Sequence, residues 1–102
     1  MRKSINEPLV YVCTSRIHGD GLFAYKSINS VTMIGKIKGR PTKTNGPYVL
    51  WLTARKAIKV SCQLKYINHS DKPNAAYLDN LEVIALRDIA RGEEITHNYG
   101  GQ

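Results

Sequence analysis

The sequence predicts a mainly β domain with little helix, and three observations support this. Turn-forming Gly, Pro, Asn and Asp residues recur at short intervals along the chain. Between them lie runs of branched and aromatic side chains that are too short for most helices. The 102 residues, 42% of them hydrophobic, allow one domain with a small core. This length excludes an enzyme with its own separate dinucleotide-binding domain.

Short strands, about seven in number, are predicted along the chain. They correspond to the apolar runs Leu9–Cys13, Leu22–Tyr25, Val31–Ile37, Tyr48–Leu52, Ala57–Val60, Ala75–Leu78 and Leu81–Leu86. The last two runs flank Asp79 and Asn80, a two-residue loop of the kind that closes a hairpin. The best helix signal is Ser61, a candidate N-cap before a short segment over residues 62–66.

The charge is distributed unevenly. Fifteen Lys and Arg against eight Asp and Glu give a net charge of +7. Residues 21–70 contain nine basic residues and no acidic one, whereas residues 71–102 contain three basic and six acidic residues. Such a basic segment is either a solvated face or a surface for acidic protein or nucleic acid.

Two cysteines, Cys13 and Cys62, stand 49 residues apart and form no CxxC pattern, so we expect free thiols that are buried or half-buried. Neither a signal peptide nor a membrane-spanning run is recognisable. We therefore expect a soluble intracellular protein with no membrane partner, cytoplasmic or associated with the nucleus or chromatin. The irregular separation of the cysteines and histidines predicts no metal site.

Three segments are more specific than ordinary turns between strands. The first contains two glycines, Gly19 and Gly21, immediately before an apolar run. The second, residues 66–74, reads YINHSDKPN and places polar side chains between an apolar pair and a Pro-Asn turn. The third, residues 92–100, reads GEEITHNYG. Each segment alone is weak, since paired glycines usually serve a turn and a tyrosine usually packs in a core.

Together, in this order, the three segments resemble the SET domain, the fold of protein lysine methyltransferases. The family pattern has a GxGLFA-type motif, an INHSxxPN segment and a GEEIT segment followed by a tyrosine. The matching positions here are 19–24, 67–74 and 92–96, with Tyr99 at the family's catalytic tyrosine. The resemblance spans residues 9–100, so we predict that residues 1–102 form a single SET domain. It implies several small curved β-sheets and a C-terminal pseudoknot, a departure from unthreaded connections.

The resemblance implies a reaction and a cofactor. S-adenosylmethionine would donate a methyl group to the neutral side-chain amine of a lysine in a protein substrate. Because a lysine pKa lies near 10.4, the neutral amine costs on the order of 4–5 kcal/mol at pH 7. A dry channel beside a cationic sulfur lowers that pKa by desolvation and repulsion between like charges. Positioning and preorganised oxygen dipoles then suffice, without a metal.

The resemblance also implies roles for individual residues. Tyr99 is the predicted catalytic residue, with its hydroxyl directed at the methyl group and the lysine nitrogen. The predicted cofactor-binding residues, including Tyr99 itself, are His18, Gly19, Asp20, Gly21, Tyr66, Asn68, His69 and Tyr99. His97 and Tyr48 are predicted to line the substrate channel. Glu93 and Glu94 are interpreted as a solvated pair beside a turn rather than as acid and base, because adjacent strand residues face opposite ways.

The sequence departs from the family pattern near its end. Only Gly100, Gly101 and Gln102 follow Tyr99, so we expect a minimal member without a post-SET region, whose channel lacks a lid from its own chain. A homodimer partner or the target protein would complete it. His97 stands two residues before Tyr99, where the family often has Phe or Tyr, and its titratable imidazole leaves the number of methyl groups open.

Two other hypotheses stay open at this point. The first is a SET-fold module that binds cofactor or peptide with little or no catalysis, because the lid is absent. The second is a small basic β domain that binds nucleic acid. The acid-free segment favours this second hypothesis, and the lack of interleaved aromatic residues or of an RNA-binding signature speaks against it.

Overall fold

Three small β-sheets build the domain in a computed structural model that describes residues 9–98. They contain ten strands, β1 to β10 in chain order, and one short 3-10 helix within these residues. The architecture confirms the prediction of a mainly β fold with little helix. It contains three strands that the sequence did not predict as such, β4, β7 and β10.

A four-stranded sheet has the order β1-β2-β10-β7. β1 (Val10–Thr14) pairs antiparallel with β2 (Asp20–Ala24). β10 (Glu94–His97) lies antiparallel to β2 and parallel to the two-residue strand β7 (Asn68–His69). The last strand is thus inserted between strands from distant parts of the chain, which is the arrangement that the expected pseudoknot requires. This insertion brings the three sequence motifs into one sheet.

A second sheet has the order β3-β9-β8. Its hairpin joins β8 (Ala75–Tyr77) to β9 (Glu82–Ala85), and β3 (Met33–Lys36) pairs with the other side of β9. The predicted hairpin is therefore confirmed, but the two-residue loop is wrong. The amide of Leu78 donates to the carbonyl of Glu82, and Leu81 takes φ +73 as a third loop residue. A type I turn followed by a left-handed residue closes a hairpin in this way.

The third sheet, which we call the basic sheet, has the order β4-β6-β5. β4 (Gly39–Thr42) and β5 (Val49–Thr53) both pair antiparallel with the central strand β6 (Lys56–Val60). The Gly-Arg-Pro sequence of β4 is more typical of a turn than of a strand. Pro41 is accommodated because β4 is an edge strand, where a missing backbone donor costs no ladder hydrogen bond.

The 3-10 helix spans Gln63–Tyr66, and its N-cap is Cys62, which makes no side-chain capping bond. The predicted cap at Ser61 is therefore wrong, because the Ser61 hydroxyl donates to the carbonyl of Lys38 instead. Cys62 is half-buried as expected, whereas Cys13 is exposed on β1, contrary to the prediction.

The core lies where the sheets meet. Its most completely buried apolar side chains come from β2, β9, β10 and the loops between strands: Leu22, Ile28, Ile67, Val83, Ile89 and Ile95. Ile28 and Ile89 exchange two backbone hydrogen bonds of 2.8 Å, which fasten the loop after β2 to the loop before β10. Within residues 9–98, no helix is long and apolar enough to cross a membrane.

Candidate functional site: a polar clamp between the sequence motifs

Asn68 connects all three motifs. It lies in β7, directly after the 3-10 helix, and its backbone pairs with Thr96 of β10. Its side-chain Nδ2 lies 3.1 Å from the carbonyl of His18, 3.2 Å from that of Asp20 and 2.9 Å from Oε2 of Glu94. A primary amide donates two hydrogens, so the three acceptors share them. One half-buried side chain thus fixes the loop before β2 relative to β10.

Glu94 is the functional candidate that the sequence analysis missed. Its carboxylate accepts hydrogen bonds from Asn68 and from the Ser15 hydroxyl, which lies 2.8 Å from both carboxylate oxygens. The interpretation of Glu93 and Glu94 as a solvated pair is wrong for Glu94, which is half-buried and fully engaged. Glu93 faces the other way and pairs with Arg87, with an N–O distance of 2.5 Å. No local sequence pattern indicates this role, since Ser15 and Glu94 are 79 residues apart in the chain.

The two motif glycines serve different needs. Gly19 takes φ +46, a left-handed conformation that favours glycine, and its carbonyl accepts from the Ser15 amide at 2.8 Å. A Cβ at Gly19 would have nothing within 4 Å, so there is open space beside this loop. At Gly21 a Cβ would collide with the Glu94 carboxylate and with Cβ of Ser15. Gly21 therefore makes room for the Glu94 carboxylate, which in turn holds Asn68.

Asn74 holds β10 from the other side. Its side chain is 2% exposed and acts as a substitute for a neighbouring strand: Nδ2 donates to the Glu94 carbonyl at 2.8 Å, and Oδ1 accepts from the Thr96 amide at 2.9 Å. Both the nitrogen and the oxygen of this buried side-chain amide thereby have a hydrogen-bond partner. Pro73 and Asn74 were predicted as a turn and as the end of the INHSxxPN motif, without a contact to β10. We call Ser15, Asn68, Asn74 and Glu94 the polar clamp.

His97 is buried at the end of β10, with 3% of its surface exposed. Its Nε2 shares a 3.1 Å hydrogen bond with the Tyr77 hydroxyl, and the two rings lie with centroids 4.2 Å apart. Burial lowers the pKa of His97 to about 4, and the charge of His69 contributes a smaller decrease. The imidazole is therefore neutral at pH 7. His69 itself is exposed, and its Nε2 lies 3.2 Å from Oδ1 of Asp71.

Two cavities flank the clamp. The first, of about 520 Å³, has an apolar wall of Val60, Leu64 and Ile67 and is also lined by His18, Tyr48 and Asn68. The second, of about 670 Å³, is lined by residues that include Lys56, His97 and Asn98. Three residues line both cavities: Leu50, Trp51 and Tyr77.

Tyr48 forms part of the first cavity wall in an unusual conformation. It takes φ +63, which is uncommon for an aromatic residue, and its side chain remains half exposed. Its ring meets that of Tyr66 edge to face with centroids 5.9 Å apart. The Lys65 ammonium lies over both rings, 4.8 Å from the Tyr48 centroid and 5.2 Å from the Tyr66 centroid.

The structure brings most of the predicted cofactor-binding residues together. His18 and Asp20 accept hydrogen bonds from Asn68 through their carbonyls, and Gly19 and Gly21 alternate with them in the same segment. Tyr66 packs on Tyr48 at the edge of the first cavity, and His69 follows Asn68 on β7. The two predicted channel residues lie apart, since Tyr48 lines the first cavity and His97 the second. Tyr99 lies outside the described residues.

The family profile of the SET domain matches residues 42–100 of this chain. The chain belongs to the SET domain family. This SET domain is 29% identical to histone-lysine N-methyltransferase 2D of Homo sapiens and 30% identical to histone-lysine N-methyltransferase trr of Drosophila melanogaster. Each alignment covers 88% of this chain but only 2% and 5% of the respective relative. The chain thus spans a few per cent of the length of these relatives.

A solved structure supports the fold independently. A crystal structure of a candidate histone methyltransferase from Plasmodium falciparum is similar, with a TM-score of 0.71 and 20% sequence identity. The similarity covers 95% of this SET domain and 97% of that chain. At this identity the likeness concerns the fold: three small sheets with the last strand inserted between distant ones.

Proposed function

We propose that this SET domain transfers a methyl group from S-adenosylmethionine to the side-chain amine of a lysine in a protein substrate. The observation that carries the proposal is the polar clamp. In it, Asn68 joins the segment 18–21, which we call the glycine loop, to Glu94 beside an apolar cavity. Family membership and the names of the relatives support the same reaction.

The residues around the first cavity fit S-adenosylmethionine. Its volume of about 520 Å³ suits a ligand of this size, since small-molecule sites span about 300–1,000 Å³. The open space at Gly19 leaves the loop backbone accessible to a ligand. The residues that would hold the cofactor are His18, Gly19, Asp20, Tyr66, Asn68 and His69. Gly21 would contribute indirectly, by leaving room for the Glu94 carboxylate that binds Asn68. When bound, the cofactor supplies a methyl group activated by a positively charged sulfur.

The protein's own contribution is to prepare the lysine amine. Leu50 and Trp51, which line both cavities, would exclude water where the amine meets the cofactor, and desolvation lowers the pKa of an ammonium group. The hydroxyls of Tyr77 and, in our proposal, Tyr99 accept or donate hydrogen bonds that orient the neutral amine. Because His97 is uncharged at pH 7, it adds no positive charge beside an incoming lysine.

The partner and the place of action follow from the same proposal. The substrate is a protein with an exposed lysine, and the names of the relatives suggest a histone and hence the nucleus or chromatin. We propose that a second copy of the chain or the target protein covers the exposed side of the cavities. A structure that contains the substrate would test this part.

Substitution of Tyr99 tests the reaction itself. Tyr99→Phe should lower methyl transfer from radiolabelled S-adenosylmethionine to lysine-rich protein by about 10²-fold or more, as expected when one oriented hydroxyl is lost. Tyr25→Phe is the matched control, because Tyr25 follows β2, is exposed and packs only on Tyr11 among the rings of residues 9–98. Equal activity of the Tyr99→Phe variant and the wild type would refute the role of Tyr99. Cofactor binding without transfer to any substrate would refute the proposed activity.

A further inference from the structure

The basic sheet (β4, β5 and β6) presents a concentration of positive charge. Its strands contain Arg40, Lys56 and Lys59, and the connections between them contain Lys43 and Arg55. All five side chains are exposed, and among residues 9–98 none of them lies within ion-pair distance of a carboxylate. No Asp or Glu occurs anywhere between residues 21 and 70. The sheet therefore has no internal counter-charge.

Two of these cations oppose each other directly. Arg40 and Lys59 are register partners in the β4–β6 pair, so their side chains leave the same face of the sheet. Like charges at directly opposite positions destabilise a sheet. The described part of the chain provides nothing that offsets this repulsion. An anionic ligand on this face would offset it.

The pair of cations is continuous with the candidate site. Val49 is the partner of Lys59 on the other side of β6 and lines the first cavity. Trp51, two residues further along the same face of β5, lines both cavities. Lys56, at the start of β6, lines the second cavity. The basic sheet thus reaches both cavities, and Lys56 brings its positive charge to the second.

We propose that the basic sheet binds an acidic stretch of the substrate protein that flanks the target lysine. This inference rests on the proposed function, because it names the class of substrate for that site. A lysine that enters the site brings its neighbouring residues over the sheet, where acidic side chains meet Arg40 and Lys59. A segment with lysines but without acidic side chains would make no such contacts. The sheet strands carry one aromatic residue, Trp51, whereas single-stranded nucleic acid requires a series of stacking platforms.

Fluorescence anisotropy with labelled peptides tests the preference without turnover. One peptide places a central lysine between glutamates, and a second replaces the glutamates with glutamines. The wild type should bind the glutamate peptide more tightly, with a preference that declines as salt is added. The double variant Arg40→Gln/Lys59→Gln should weaken glutamate-peptide binding by about threefold to tenfold, as expected for two exposed charge contacts.

A matched double variant controls for total charge. Lys72→Gln/Arg91→Gln removes two exposed cations outside the basic sheet and should change binding of the glutamate peptide by less than about twofold. The Arg40→Gln/Lys59→Gln variant should also unfold at a temperature no lower than the wild type, because a like-charge pair is removed. That result separates lost binding from lost folding.

Three binding results would overturn the inference. The wild type could bind both peptides with equal affinity, or the two double variants could weaken binding equally. A DNA oligonucleotide of equal charge could also bind more tightly than the glutamate peptide, in a way that depends on Arg40 and Lys59. The last would assign the basic sheet to nucleic acid. Methylation of both peptides at equal efficiency would refute acidic docking and leave the proposed reaction intact. Selective binding without methylation of either peptide would refute the reaction and support acidic recognition by the sheet.

Discussion

The four-stranded sheet and the basic sheet use polar residues in opposite ways. At the four-stranded sheet, Asn68 and Glu94 within it and Asn74 beside it are buried or half-buried, and each makes hydrogen bonds to residues 20 or more positions away. In the basic sheet, the charged side chains are exposed and make no ion pair within residues 9–98. The first arrangement fixes geometry, as the proposed methyl transfer requires. The second leaves charge available to a partner.

The comparison teaches that stability and recognition lie in different parts of this small chain. Removing a polar group from the clamp leaves buried partners unsatisfied, which costs more than the original hydrogen bond contributed. Removing a polar group from the basic sheet returns its partners to water. Equivalent substitutions in the two sheets should therefore differ in their effect on the free energy of unfolding.

The largest difference is expected between two asparagines. Asn74→Ala should lower the free energy of unfolding by about 2–4 kcal/mol, because the Glu94 carbonyl and the Thr96 amide lose a buried partner. Asn45→Ala removes an exposed hydrogen bond from the Trp51 indole and should cost less than about 1 kcal/mol. Urea denaturation measures both values. Equal costs would show that the clamp does not differ energetically from the basic sheet.

A pH titration of stability should single out His97. Its pKa is about 4 in the folded state against 6.5 as the ordinary value, so the unfolded chain binds this proton more readily. The contribution to stability is complete above pH 6.5 and is lost as the pH falls, by about 2 kcal/mol between pH 7 and pH 5. Urea midpoints measured at several pH values give this slope.

Two variants sharpen the titration. His97→Gln should flatten the slope between pH 7 and pH 5, because the buried titrating group is gone. His18→Gln, at an exposed position, is the control for the loss of a histidine as such. A His97→Gln variant with an unchanged slope would assign the pH dependence to other groups.

Substitution of one glycine near each sheet should produce a smaller difference in the free energy of unfolding. Gly21→Ala should cost about 1–3 kcal/mol, because the new methyl group collides with the Glu94 carboxylate and with Ser15. Gly46→Ala, in the connection between β4 and β5, meets nothing within 4 Å and should be neutral or stabilising by up to about 1 kcal/mol. Thermal and urea unfolding measure both changes.

A second substitution tests the cause. If the Glu94 carboxylate is the obstacle, Gly21→Ala should cost less in a Glu94→Ala background than in the wild type. An equal cost in both backgrounds would contradict the collision with Glu94 and leave Ser15 or the glycine backbone as the cause.

Local patterns predicted much of the fold. The hairpin of β8 and β9 follows from alternating apolar runs around Asp79 and Asn80. Its loop length did not follow, because a left-handed leucine at position 81 is not a turn signal. β7 and β10 were not predicted as strands, since two residues at 68–69 become a strand only when β10 lies beside them.

The candidate site was likewise predictable only where local motifs mark its residues. Asn68 and the loop from His18 to Gly21 were found by motif, and the structure brings them together. The roles of Ser15, Asn74 and Glu94 depend on where β10 is inserted, which no local pattern encodes. The charge of the basic sheet was visible in the sequence, but the opposition of Arg40 and Lys59 needed the strand register.

The central claim is that the polar clamp shapes a site for S-adenosylmethionine, and calorimetric titration of this cofactor into the chain tests it most directly. We predict saturable binding at one site. Asn68→Ala should weaken it by about tenfold or more, the equivalent of one lost hydrogen bond that also orients the glycine loop. Asn29→Ala, an exposed control, should bind as the wild type does. Absence of binding at millimolar cofactor would contradict the account.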